Sequence, residues 1–168
     1  MTDKKEHLIH WLRDAYAMEK QAVEMLEKQA DRIENYPEVK ERIAMHLEET
    51  KTQADRLEQC LASMGEDPSA FKTGLGKMVG SAQTLSGLFV EDEIVKGSVA
   101  GYVFEHYEIG NYKVLISAAR DAGEDQIAEI CGDILQEEEE MARWMEKNIP
   151  LVTQAFLHRD QSGMDAKR

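Results

Sequence analysis

Residues 98–119 read SVAGYVFEHYEIGNYKVLISAA, and the spacing inside this stretch sets the fold. Ser98, Gly101, Glu105, Glu108, Tyr112, Leu115 and Ala119 recur at steps of three and four, the stripe of a helix that faces a core. Two glutamates stand on that stripe where leucines would be expected. The same irregularity occurs three more times. Glu19 lies on the line Leu12, Ala15, Tyr16, Ala22, Leu26, Ala30 and Ile33. Glu49 follows His46 on the line Val39, Ile43, Gln53, Leu57, Cys60 and Met64, and Glu138 lies on Ile127, Cys131, Ile134, Met141, Met145 and Ile149. The interval from Glu19 to Glu49 equals that from Glu108 to Glu138, thirty residues in each case. A slide of 89 positions superposes the first pair of segments on the second without a gap, matching Leu26 with Leu115 and Ala30 with Ala119. Little else is identical, so an old duplication is a suggestion only. Two antiparallel hairpins built this way bring their glutamates to one level.

Helix is favoured nearly throughout by three prolines and long runs of Ala, Glu, Lys, Leu and Met. Thr2 or Asp3 can cap a first helix ending near Asn35, Pro37 suits the first turn of a second that ends near Met64, and Gly123 separates the third from the fourth. Pro150 is expected to bend or close the last helix. Between Gly65 and Glu93, Gly74, Gly76, Gly80 and Gly87 interrupt an amphipathic pattern carried by Leu75, Met78, Val79, Ala82, Leu85, Leu88 and Phe89. This is the pattern of a crossover holding a short extra helix. An all-α, ferritin-like four-helix bundle follows, with the long connection between helices two and three. One domain is expected over residues 1–160, with a flexible tail over 161–168.

Lys and Arg number 20 against 33 Asp and Glu, a net charge of −13 that repels nucleic-acid phosphates and anionic lipid. Neither nucleic acid nor membrane is expected as a partner. The chain lacks an apolar run of the ~20 residues that span a bilayer, and its polar start does not resemble a secretion signal. Cys60 and Cys131 sit singly on core stripes, consistent with a reducing compartment and a cytoplasmic location.

Buried carboxylates cost several kcal/mol each unless they are protonated or meet a counter-charge, and a metal centre supplies one. Carboxylate oxygens suit iron and manganese, and four helices that each offer a Glu can hold two ions. The candidate ligands are Glu19, His46, Glu49, Glu105, Glu108 and Glu138. The Glu-x-x-His motif usual in di-iron bundles is missing, because Thr52 and Met141 stand where its histidines would be. His46, three residues before Glu49, is either a ligand or a core imidazole satisfied by one hydrogen bond. Gln53 either ligates weakly or holds a carboxylate in place. Glu137, Glu139 and Glu140 flank Glu138 on other faces and read as solvated surface, while His7, His10, His106 and His158 point elsewhere. Tyr16 and Tyr112 read chiefly as core aromatics, with a hydrogen-bonding or redox role as the other option.

The segment Val103-Phe104-Glu105-His106-Tyr107-Glu108-Ile109, with Tyr112 and Leu115, His46-Leu47-Glu48-Glu49-Thr50 and Gln53-x-x-Arg56-Leu57, resembles the YciE/YciF family of ferritin-like bacterial stress proteins, the YciE branch more closely. The likeness spans roughly residues 5 to 150. It implies a helical homodimer with a dinuclear site related to those of rubrerythrins and manganese catalases. By position, the family's ligands would be Glu19, His46, Glu49, Glu105, Glu108 and Glu138. Ala142 stands where the family often carries an acidic residue, a departure from the family's pattern on helix four. Two Fe or Mn ions so held suit oxidoreductase chemistry on peroxide or oxygen, of the peroxidase, catalase or ferroxidase kind. The rival expectation is a non-catalytic structural or interaction protein whose metal only stabilises the fold. No cage-forming signature supports iron storage. Without a rubredoxin-like Cys-x-x-Cys module, the sequence names no electron donor.

Overall fold

A computed structural model describes residues 3–67 and 90–168. Among these residues the chain forms four helices: α1 (Lys4–Arg32), α2 (Pro37–Ser63), α3 (Glu93–Asp121) and α4 (Asp125–Gln161). The expected helices are present, with ends shifted by a few residues. Asp3 caps α1, and its backbone N–H donates to the Glu6 carboxylate at 3.3 Å. The helix stops at Arg32, short of Asn35, because Ile33 turns extended and Pro37 disfavours helix at the residue before it. Gly65 (φ +85°) and Gly123 (φ +76°) take left-handed conformations that end α2 and α3. Beyond them, Glu66 N–H donates to Leu61 O and Glu124 N–H to Ala119 O, satisfying carbonyls that would otherwise be orphaned.

α1 with α2 and α3 with α4 form two antiparallel hairpins, and α1 packs beside α3 while α2 packs more sparsely beside α4. Lys5 reaches Glu124, and Arg32 at the other end of α1 grips Glu93 at the start of α3, so α1 and α3 run in opposite directions. The chain therefore leaves α2 at one end of the bundle and enters α3 at the other. That is the ferritin-like order, with its long connection between helices two and three. The short helix expected in the crossover lies outside the described residues.

The interior is layered. One apolar cluster, with Leu8, Leu12, Leu57, Leu61, Leu115, Cys131 and Ile134, fills one half of the bundle. A second, with Leu26, Ile33, Tyr36, Ile43, Met141, Met145 and Val152, fills the other. Cys60 and Cys131 are buried free thiols, as their stripes predict, and burial raises them to about 11 and about 12. Among the described residues, no helix is long and apolar enough to cross a membrane.

Two features mark the C-terminal end of the bundle. Of the two outcomes expected at Pro150, closure does not occur: α4 continues to Gln161 because Val152 and Phe156 pack into the second cluster and hold the helix beyond the proline. The tail expected over 161–168 begins where α4 ends. It folds back so that Tyr36 Oη donates to Ala166 O at 2.7 Å, Asn35 N–H to Arg168 O at 2.9 Å and Ile94 N–H to Lys167 O at 3.0 Å. These carbonyls satisfy donors at the α1–α2 turn and at the first turn of α3, the kind of backbone pairing that ties a terminus down.

Candidate metal centre

Between the two apolar layers lies a polar one. Glu19 from α1, His46 and Gln53 from α2, Glu105 and Glu108 from α3 and Glu138 from α4 are each at most 2% exposed. Steps of three and seven along a helix put these side chains on the core face, since helical neighbours on one face recur every three to four residues. One ligand atom from each of His46, Glu105, Glu108 and Glu138 lies within 4.8 Å of the others, a spread that one metal ion could gather.

His46 joins the carboxylates. Its Nδ1 stands 2.9 Å from Glu49 Oε2, and its Nε2 stands 3.2 Å from Glu105 Oε1 and 3.8 Å from Glu138 Oε2. A neutral imidazole has only one N–H, so facing carboxylates with both nitrogens favours the imidazolium. Burial opposes that charge, but the hydrogen bonds and charges of Glu105, Glu49 and Glu138 outweigh it and raise the histidine to about 10. Thr50 Oγ1 donates to His46 O at 2.9 Å, which settles that hydroxyl inside the helix.

The carboxylates respond in the opposite sense. Burial raises Glu19 to about 8, although a hydrogen bond from the Tyr112 hydroxyl favours its ionised form. Glu108 and Glu138 are pushed well above the ordinary carboxylate range, first by burial and then by neighbouring glutamates. Tyr112 in turn is held protonated by burial and by Glu19. Among the described residues, Glu19 Oε2, Glu105 Oε2, Glu108 Oε1 and both oxygens of Glu138 are buried without a hydrogen-bond partner. Buried acceptors left unpaired each cost about 1–3 kcal/mol, a cost that retained protons or a bound cation can offset. A hard, oxygen-preferring metal ion fits that donor set.

Sequence reasoning placed six residues in the centre. The structure gathers His46, Glu105, Glu108 and Glu138, with Glu19 adjoining them through Tyr112 and the shared electrostatics. Glu49 stands apart from the four. Its side chain is 35% exposed and also accepts from Arg42 at 3.2 Å, and the His46 hydrogen bond lowers its pKa. Gln53 holds a carboxylate, but that carboxylate is Glu137, at 2.9 Å. Glu137 was read as solvated surface and instead links α4 to Gln53 and Arg56 of α2. The missed signal was its spacing, three residues after buried Ile134 and four before buried Met141. Tyr16 is a core aromatic whose hydroxyl faces Glu58, and burial raises its pKa.

A sequence profile matches residues 3–158, nearly the whole chain. The chain belongs to the family described as Domain of unknown function (DUF892). Solved structures place this DUF892 protein among YciE/YciF-type relatives, as its motifs suggested. A Xanthomonas campestris pv. campestris protein shares 42% identity, with a TM-score of 0.79 over 95% of this chain and 99% of that one. YcfI of Rhodopseudomonas palustris shares 27% at a TM-score of 0.71, covering 86% and 94% of the two chains. The E. coli stress protein YciF shares 26% at a TM-score of 0.71, covering 89% and 96%.

Proposed function

We propose that this DUF892 protein is a cytoplasmic stress-response metalloprotein whose bundle holds two iron or manganese ions and acts on peroxide or oxygen. The observation that carries the reading is the set of buried, partnerless carboxylate oxygens around His46. Glu105, Glu108, Glu138 and His46 would hold the ions, with Glu19 adjoining and Glu49 at the rim. Paired redox ions supply two electrons together, which suits a two-electron oxidant such as hydrogen peroxide.

The chain's own residues prepare the centre. Protons on Glu19, Glu108 and Glu138, together with the His46 imidazolium, relieve the like charges without metal, and binding must release some of them. Tyr112 orients Glu19 through its O–H. The apolar layers on either side keep bulk water out and so strengthen every charge interaction inside. A stress role is supported by the likeness to YciF. Assembly as a homodimer is part of the proposal, and the apolar row of Val99, Val103, Tyr107 and Val114 on α3, each about half exposed, supports it. Light scattering that returns a monomer mass would remove that part.

The test is peroxide consumption by protein loaded with Fe2+ or Mn2+ and freed of excess metal. We expect a metal-dependent burst in the wild type that Glu138→Gln abolishes. Consumption no greater than that of free metal would leave the non-catalytic reading, in which metal only stabilises the bundle.

A further inference from the structure

Among the described residues, an open groove lies along the α2–α4 seam, the more sparsely packed side of the bundle, and is lined by Glu48, Glu49, Thr52, Arg56 and Glu137 among others. Two of these carboxylates span the wall between solvent and centre. Glu49 accepts from Arg42 and from the Nδ1 of His46, which is 1% exposed. Glu137 accepts from Arg56 and from the Nε2 of Gln53, which is fully buried. Each is about a third exposed, with a guanidinium and a buried interior group as partners. The other end of the Gln53 amide is also unusual, because Oε1 is buried without a partner. A neutral oxygen in that position is a ligand suited to a hard cation in transit.

We propose that this groove is the port through which divalent cations reach the centre, with Glu49 and Glu137 as the carboxylates that receive the ion and Gln53 as the neutral relay behind Glu137. The inference rests on the metal reading of the centre. An arriving dication replaces a guanidinium as the partner of each carboxylate, so a charged partner is exchanged rather than lost. Arg42 and Arg56 hold the two carboxylates until that exchange. Lys51, 2.8 Å from Glu48, neutralises one further groove carboxylate. The selectivity of the port therefore lies in Glu49 and Glu137 rather than in bulk negative charge. Neither is among the four clustered ligands, so substitution of Glu137 should change how fast metal arrives and not how much is finally held.

Mn2+ alone tests this. It is added to metal-free protein, aliquots are quenched into excess chelator and desalted at intervals, and bound manganese is counted. Wild type and Glu139→Gln, a matched charge change on the same helix, should load at one rate to one endpoint. Glu137→Gln should reach the same endpoint about tenfold more slowly, the low end of what a charged path contributes to arrival rates. Thr52→Phe, which plugs the groove from an exposed position, should also slow loading and decides the matter if Glu137→Gln does not fold. Loading of both variants at the wild-type rate would overturn the port, as would a lowered endpoint in Glu137→Gln, which would make that residue a ligand. Wild type that takes up no manganese would overturn the metal reading itself.

Discussion

Glu19→Gln should stabilise the metal-free protein, and increasingly so as pH rises. The substitution keeps the shape of the side chain and an oxygen to accept from Tyr112. What it removes is an ionisable group whose pKa rises on folding from 4.5 to about 8, chiefly through burial. Between those values the folded carboxyl keeps a proton that the unfolded chain has released, so stability falls with rising pH by about 1.4 kcal/mol per unit for this group. At pH 5 the penalty is below about 1 kcal/mol, and at pH 8 it is on the order of 5 kcal/mol. The amide escapes this dependence, and its own burial costs the same at both pH values. Relative to wild type, the variant should therefore gain roughly 4 kcal/mol more at pH 8 than at pH 5. For a chain of this size that is a widening of the Tm difference on the order of 10 °C. Calorimetry of both proteins, stripped of metal, at the two pH values provides the measurement. A Tm difference that does not change with pH, or that widens toward acid, would refute the reasoning.

Other outcomes follow from the same geometry. Loading with Mn2+ or Fe2+ should raise the wild-type melting temperature, by about 2.7 kcal/mol of stability at a hundredfold excess over Kd, and Glu108→Ala should abolish that rise in a parallel melt. Glu93→Ala removes the carboxylate that Arg32 grips at 2.6 Å and should cost about 2 kcal/mol in a urea titration, since Glu93 is buried but Arg32 is partly exposed. Deleting residues 162–168 removes the acceptors of Tyr36 Oη, Asn35 N–H and Ile94 N–H and should lower stability by roughly 2–4 kcal/mol. An unchanged melt for the truncated chain would show that the tail only rests on the surface.

The fold was legible because a carboxylate on a core stripe is a strong signal when it recurs. Glu19, Glu105, Glu108 and Glu138 are buried as their three-and-four spacing requires, and Pro37, Gly65 and Gly123 mark breaks that the chain obeys. Periodicity gives the face of a helix and not the partner across the seam. Glu49 and Glu137 show the limit. Each sits at the edge of its stripe: Glu137 is turned by Arg56 across the α2–α4 seam, and Glu49 by Arg42, seven residues earlier on α2 itself. The contacts of the tail escape the sequence for a related reason. Its anchors are carbonyls of Ala166, Lys167 and Arg168, and backbone acceptors leave no mark in side-chain composition.

Diffraction from crystals of protein prepared without chelators, recorded at the iron and manganese absorption edges, puts the central claim to its most direct test. The account predicts anomalous peaks between Glu105, Glu108 and Glu138, within reach of His46. No peak there, even after soaking in Mn2+, with the His46 ring still bridging Glu49 and Glu105, would mean that the buried carboxylates are neutralised by protons and the imidazolium alone.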